Sequence, residues 1–229
     1  MPANRYDDSL REGNQIIIDL TPANYTLRIE LALELKSIIQ NNPKRKILEI
    51  GVGEGDLTKH ILKENPAIHI DCLDISEEMI ETSKQTLWAF ADKISFITED
   101  ALEYLEKIDF KYDIITAART MHNFPRPDKK KLFEKTYERL STQGTFIMMD
   151  KVYVDKEEER EKSLKMQLER YRYLSPDLKK EITDHEILDA SDEYRMDELS
   201  TIETLKTIGF KNIQIIDRVE RDVILIAEK

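Results

Sequence analysis

The fold is decided by residues 48–58, which read LEIGVGEGDLT. The apolar end of a predicted strand comes first, then glycines at positions 51, 53 and 55, and then a segment with helical spacing. Glycine lets the backbone turn tightly and lets a ligand approach it closely. This order of strand, glycine turn and helix predicts a ligand-binding turn at the carboxyl end of a strand.

The same turn is acidic. Glu49 precedes the glycines, and Glu54 and Asp56 lie among and after them. The dinucleotide-binding fingerprint requires a glycine at the place that Asp56 occupies, and a pyrophosphate prefers helix N–H groups without competing negative charge. We therefore expect a ligand that carries positive charge, such as an ammonium or a sulfonium group.

Short apolar runs alternate with longer amphipathic stretches around the turn, which is typical of parallel strands joined by helices. Strands are predicted at 47–50, 68–73, 94–98, 112–117 and 145–150. Helices are predicted at 56–64, 77–90, 101–107, 128–140 and 197–208. Ser76 and Asp128 are expected to cap the second and fourth of these helices, and Trp88 and Phe90 are expected to pack in the core.

The last two predicted strands, 212–217 and 222–227, are separated only by Arg218 to Arg221. Four residues cannot hold a crossover helix, so these strands must be antiparallel. The expected fold is therefore α/β, with a mostly parallel seven-stranded sheet that ends in an antiparallel hairpin, plus helical cap segments.

Two segments fall outside the alternation. Residues 1–42 are predicted to form a helical arm, since their second half has an apolar stripe at helical spacing. Residues 151–196 are predicted to form a helical cap insertion. The core then comprises 43–150 and 197–229, and we expect the arm and the cap to form a lid.

Composition limits the partners. Lysine and arginine total 35 and aspartate and glutamate total 46, which gives a formal net charge of −11. This charge makes nucleic acid an unlikely partner, because phosphate binding needs a basic surface. One cysteine and four scattered histidines offer no metal-ligand spacing. Without an apolar leader or a long apolar run, we expect a cytoplasmic protein with no membrane contact. The sequence is compatible with a homodimer and does not decide the oligomeric state.

Two further acids end strands of the predicted sheet. Asp74 closes the second strand about 20 residues after the glycines, where a ribose diol would lie, and Asp100 closes the third. Ligands of open parallel sheets bind beyond the carboxyl ends of the strands. The glycine turn, Asp74, Asp100 and the segment 117–122 are therefore expected to line one site.

With these residues in place, the chain resembles the class I S-adenosylmethionine-dependent methyltransferases, which have a Rossmann-like sheet. The resemblance covers roughly residues 44–150 and 197–229. Its motifs are EIGVGEG (49–55), DCLDIS (71–76), EDAL (99–102) and YDIITAARTMHNF (112–124).

The resemblance implies that S-adenosylmethionine is the cofactor. Glu49, with Gly51, Gly53 and Gly55, would form the methionine side of its pocket. Asp74 would bind the ribose hydroxyls and Ile75 would pack on the adenine. The other implied contacts are Asp100 and Ala101 at the adenine edge, and Ala117 facing the cofactor.

Two side chains near the fourth strand suit catalysis. His122 is the candidate general base, because its pKa range suits proton transfer near neutrality; the alternative is a positioning role. Arg119 could hold an anionic substrate group or the cofactor carboxylate, or form a surface ion pair. Tyrosines of the arm and the cap are candidates for substrate contact: Tyr6, Tyr25, Tyr153 and Tyr171.

The expected function is methyl transfer to a small-molecule acceptor by direct displacement. The arm and the region 171–210 are also similar to carboxy-S-adenosylmethionine synthase, whose product would need a cation such as Arg119 or Arg195. A tRNA or protein methyltransferase and a non-catalytic cofactor-binding protein are further alternatives.

Overall fold

A computed structural model describes residues 21–40 and 45–229. The strands are β1 (Ile47–Ile50), β2 (Ile70–Asp74), β3 (Ile94–Thr98), β4 (Tyr112–Ala118), β5 (Leu140–Lys151), β6 (Lys211–Val219) and β7 (Asp222–Glu228). The helices are α1 (Pro22–Ile39), α2 (Asp56–Glu64), α3 (Glu77–Thr86), α4 (Ala101–Lys107), α5 (Arg126–Arg139), α6 (Glu157–Arg170), α7 (Pro176–Asp189) and α8 (Glu198–Ile208).

All seven strands belong to one sheet in the order β3-β2-β1-β4-β5-β7-β6. The first five strands pair in parallel, whereas β7 pairs antiparallel with both β5 and β6. This arrangement confirms the predicted α/β fold with its closing hairpin. The glycine turn follows β1, which lies between β2 and β4 and is buried along its whole length.

Hydrophobic clusters cover both faces of the sheet. Leu48 and Ile50 belong to the cluster that includes α4, α5 and α8, and Ile47 belongs to the cluster that includes α1 and α2. Successive strand residues point to opposite faces. Glu49 therefore points, like Ile47, toward α1 and α2. In the apolar stripe of α1, Leu27, Leu31 and Leu35 are fully buried in this second cluster, and Ile38 packs against it partly buried.

Two helix boundaries differ from the prediction. Helix α3 starts after Ser76, whose Oγ accepts a hydrogen bond from Met79 N at 3.3 Å, but it ends at Thr86 and a 3-10 turn follows. Trp88 lies on that turn with 77% of its surface exposed, so its predicted core position is wrong, whereas Phe90 is partly buried. Helix α5 starts at Arg126, so Asp128 lies in its first turn and is not its cap.

The strands near the carboxyl terminus are longer than predicted. Strand β5 begins at Leu140 and includes Gln143 and Gly144, which were expected to end the preceding helix. Only Glu220 and Arg221 separate β6 from β7, because Glu220 adopts a positive φ of 59° and allows a tighter turn than four residues. The antiparallel pairing is as predicted.

Helices α6 and α7 occupy the predicted cap insertion between β5 and α8. The domain division and the lid role of the arm and the cap stay predictions, and the arm before residue 21 lies outside the described residues. Within the described ranges, each helix is either too short or too polar to cross a membrane.

Candidate active site at the carboxyl edge of the sheet

The glycine turn is shaped by positive φ angles, which glycine adopts without strain. Gly51 has a φ of 73°, and a Cβ there would lie 2.3 Å from Thr120 Oγ1. Gly53 has a φ of 53°, and a Cβ there would meet no atom of the described residues within 4 Å. Gly51 is thus fixed by packing, whereas Gly53 borders open space that a ligand can enter.

Asp74 holds this turn against the end of β2. Its Oδ2 accepts a hydrogen bond from Gly53 N at 2.9 Å, and its Oδ1 accepts one from Ser76 N at 3.0 Å. Burial raises the pKa of Asp74, although these N–H groups act in the opposite direction. The next side chain, Ile75, is 48% exposed at the same edge and offers an apolar surface against which a flat ring can pack.

Asp100 begins α4 at the neighbouring strand end. Its Oδ1 accepts hydrogen bonds from Leu102 N at 2.9 Å and Glu103 N at 3.1 Å, which is an N-cap arrangement. Ala101 is buried beside it. Ala117 is fully buried inside β4, within the core cluster of that face, so a cofactor contact of its side chain stays a prediction.

Glu49 is a buried carboxyl group directly before the turn. It accepts a hydrogen bond from Thr58 Oγ1 of α2 and is almost fully shielded from solvent. Burial raises the pKa of Glu49 to about 8, although the Thr58 hydrogen bond and the charge of Arg28 lower it. A cation bound at the turn would favour the ionised form.

His122 is held by Asp150, the last acid of β5. Its Nδ1 lies 2.6 Å from Asp150 Oδ1. Burial alone would raise the pKa of Asp150, but His122, Arg119 and backbone N–H groups hold it at about 2. An ionised carboxylate only accepts hydrogen bonds, so Nδ1 carries the proton and Nε2 is the basic position. Burial lowers the pKa of His122, against the raising effect of Asp150 and Asp189.

Asp150 also fixes the loop that follows β4. Its Oδ2 accepts hydrogen bonds from the backbone N–H groups of Thr120 at 3.1 Å, Met121 at 2.7 Å and His122 at 3.3 Å. One carboxylate therefore sets both the ring of His122 and the backbone that carries it. This is the arrangement expected of a positioned general base.

Arg119 pairs with Asp222 at the start of β7, and only 11% of its side chain is exposed. The ion pair considered from the sequence is thus present, but on a largely shielded side chain. The φ of 58° at Arg119 is unusual for a side-chain-bearing residue. Because its guanidinium already binds a carboxylate, contact with an anionic substrate group stays a prediction.

Next to His122 lies a buried ion network that connects β5, the cap and the hairpin turn. Lys151 Nζ lies 2.6 Å from Asp189 Oδ2 and 3.2 Å from Glu186 Oε2, and Arg221 also pairs with Glu186. Burial would raise the pKa of Glu186, but Lys151 and Arg221 hold it at about 2. His122 Nε2 is 4.0 Å from Asp189 Oδ2, so the network reaches the candidate base.

Two of the candidate tyrosines belong to this network. Tyr153 is buried and its hydroxyl accepts a hydrogen bond from Arg221 at 2.9 Å, and Tyr171 is buried and donates to Glu186 at 3.1 Å. Tyr25 is instead 70% exposed, with its ring edge-on to His60. Tyr6 lies outside the described residues. Substrate contacts of these tyrosines stay predictions.

Sequence reasoning missed Asp150 and the network around it. One signal was available, because Asp150 closes a strand at the same sheet edge as Asp74 and Asp100. It also missed Arg28, whose Nη1 lies 3.2 Å from Asp56 Oδ2 beside the glycine turn. No periodic pattern distinguishes Arg28 from the other charged residues of α1.

A family model described as a methyltransferase domain matches residues 48–146, which include the glycine turn, Asp74, Asp100 and the loop after β4. This match, together with the relatives and solved structures below, supports a class I S-adenosylmethionine-dependent methyltransferase. S-adenosylmethionine is accordingly its cofactor.

Two curated proteins illustrate the range of relatives of this methyltransferase. It is 29% identical over 226 residues to carboxy-S-adenosyl-L-methionine synthase of Nautilia profundicola, covering 94% of this chain and 87% of that protein. It is 35% identical over 115 residues to malonyl-[acyl-carrier protein] O-methyltransferase 1 of Ilyobacter polytropus, covering 50% of this chain and 41% of that protein.

Among solved structures, the CurJ carbon methyltransferase superposes with a TM-score of 0.70 at 14% identity. The match covers 94% of this chain and 57% of that chain. At this identity the likeness shows the fold, which is the methyltransferase sheet described above.

Proposed function

We propose that this methyltransferase acts on a small-molecule acceptor whose nucleophilic atom must lose a proton. The observation that carries the proposal is the His122–Asp150 pair, which lies at the same sheet edge as the glycine turn and Asp74. A base is needed when the acceptor is a hydroxyl or a protonated amine.

The residues of the edge fit the cofactor. Gly53 borders open space, Asp74 keeps acceptor capacity on both oxygens for ribose hydroxyls, and exposed Ile75 suits packing against adenine. Bound S-adenosylmethionine supplies a methyl group that is already activated by the sulfonium. The chain then has to align the acceptor and exclude water.

The environment of His122 suits proton acceptance. Because burial lowers the pKa of His122, the ring is neutral at pH 7. Asp150 orients it through Nδ1, and Nε2 receives the proton from the acceptor. Ionised Asp150 and Asp189 then stabilise the imidazolium that forms.

Calorimetry with S-adenosylmethionine and S-adenosylhomocysteine is the first test, and we expect affinities in the micromolar range, about −8 kcal/mol. A panel of small hydroxyl and amine compounds then identifies an acceptor through release of S-adenosylhomocysteine. Absence of binding to both compounds would refute the proposal. Turnover that is unchanged in a folded His122→Asn variant would refute the role of the base.

A second candidate is synthesis of a carboxylated sulfonium. It is favoured by the likeness to the Nautilia profundicola synthase, which extends along 94% of this chain. The geometry argues for methyl transfer instead, because both arginines considered for the added carboxylate already have partners. Arg119 pairs with Asp222, and Arg195 pairs with Asp192 and Asp197. Mass spectrometry of the cofactor after incubation with carboxylate donors distinguishes methyl transfer from synthesis of a carboxylated sulfonium.

The cap is proposed to close over the bound acceptor, while α1 of the arm stays packed in the core. The buried network ties α7 of the cap to the end of β5, so cap position and site geometry are connected. Hydrogen exchange of α6 and α7 should slow when cofactor and acceptor bind. Identical exchange with and without ligands would mean that the cap is a fixed part of the scaffold. Size-exclusion chromatography would decide whether the protein forms a homodimer.

A further inference from the structure

Arg28 of α1 is a buried cation next to the glycine turn. Its side chain is 12% exposed, and its Nη1 lies 3.2 Å from Asp56 Oδ2 at the start of α2. Helix α1 is fixed in place by its buried apolar stripe. The guanidinium is therefore held at the turn by a rigid element.

One edge of this guanidinium has no partner among the residues that the structure describes. The Nε of Arg28 is buried and has no hydrogen-bond acceptor among the described residues, and Nη2 makes no hydrogen bond to them either. A buried donor without an acceptor is unfavourable. The Nε and Nη2 edge of an arginine matches a carboxylate with two parallel hydrogen bonds.

The charges around Arg28 suit a ligand that carries both a positively and a negatively charged group. Glu49, Glu54 and Asp56 are the acids whose charges act on it. Arg119 is a described cation whose charge also acts on Arg28, but it pairs with Asp222. The turn thus places a guanidinium edge beside several carboxylates, which complements an amino acid that carries an ammonium and a carboxylate on one carbon.

Resting on the proposed function, we infer that Arg28 binds the α-carboxylate of the methionine part of the cofactor through Nε and Nη2. The acids of the turn face the α-ammonium. Arg28 then selects sulfonium ligands that keep the carboxylate over decarboxylated ones.

The test compares dissociation constants of S-adenosylmethionine and decarboxylated S-adenosylmethionine by calorimetry. Wild-type protein should prefer the carboxylated ligand by about 10- to 100-fold, the usual effect of charge-assisted hydrogen bonds. Arg28→Gln should lose this preference and leave the affinity for the decarboxylated ligand unchanged. Lys36→Gln is the matched control, because Lys36 also joins α1 to α2 through a pair with Glu64 at 2.9 Å.

Each outcome decides the inference. A wild-type protein that binds both ligands equally overturns it without any variant. Equal weakening of both ligands in Arg28→Gln makes Arg28 a structural residue, and no weakening of either ligand also overturns the inference. If Arg28→Gln does not fold, Arg28→Lys, which keeps the charge but not the paired donors, should retain only part of the preference. A wild-type protein that binds neither ligand refutes the proposed function itself.

Discussion

Glu49→Gln removes a carboxyl group that the folded protein holds almost entirely away from water. Burial raises the pKa of Glu49 from 4.5 to about 8. Between these values the carboxyl is protonated in the folded chain and ionised in the unfolded chain. The unfolded state thus binds fewer protons, so the contribution of Glu49 to stability is present below pH 4.5 and is lost as pH rises to about 8.

The size of this effect follows from the pKa gap. One pH unit corresponds to about 1.4 kcal/mol. From pH 6 to pH 8 the wild-type free energy of unfolding should therefore fall by about 2–3 kcal/mol relative to Glu49→Gln. Urea denaturation of both proteins at pH 6, 7 and 8 measures the difference. Glu54→Gln, on the same turn but partly exposed, controls for loss of a carboxylate from this segment.

Binding of the cofactor should also depend on pH through Glu49. A positively charged ligand favours the ionised form of Glu49, so affinity for S-adenosylmethionine should rise by up to about tenfold per pH unit from pH 6 to pH 8. Glu49→Gln should remove this rise. Parallel stability curves for wild type and variant, together with a rise in affinity that persists in the variant, would refute the reasoning.

Three other predictions concern the same edge. Asp74→Ala should weaken cofactor binding by about 1–3 kcal/mol through lost charge-assisted hydrogen bonds, as measured by calorimetry; unchanged affinity in a folded variant would exclude the ribose contact. His122→Asn should lower turnover by about 10²–10⁴-fold with little change in cofactor affinity, and Asp150→Asn should lower turnover because the ring of His122 is then misplaced. Wild-type turnover should rise with pH as His122 loses its proton. If His122→Asn loses only cofactor affinity, His122 lines the pocket and does not act as a base. Gly53→Ala should fold, with a backbone penalty of about 1–2 kcal/mol, and should lose cofactor affinity. Gly51→Ala should be far less stable, because its Cβ would overlap Thr120. Equal thermal stability of the two variants would contradict this packing argument.

The fold could be predicted because its signals are local. Each strand is a short apolar run, each crossover helix follows within a few residues, and the closing hairpin is too tight for any connection but an antiparallel one. The errors occurred at the ends of elements, where the backbone leaves its regular path. Glu220 at positive φ shortened the hairpin turn, and the chain left the helical path after Thr86.

The candidate site was only partly predictable, for a different reason. The glycines, Asp74 and Asp100 follow strands directly, so topology alone brings them to one edge. Lys151 pairs with Glu186 and Asp189, which lie 35 and 38 residues later in the chain. Long-range pairs between charged residues leave no periodic signal, and their members look like ordinary surface charges in the sequence.

The buried network gives His122 a charge environment that favours proton acceptance. Asp150, Glu186, Asp189 and Asp222 are the network's carboxylates, and Arg119, Lys151 and Arg221 are its cations. Asp150 and Asp189 face the two ring nitrogens, at 2.6 Å from Nδ1 and 4.0 Å from Nε2. Both carboxylates raise the pKa of His122, whereas burial lowers it. A buried charge is tolerated only when it is paired, so burial keeps the ring neutral before the reaction, and these two carboxylates stabilise the imidazolium that forms.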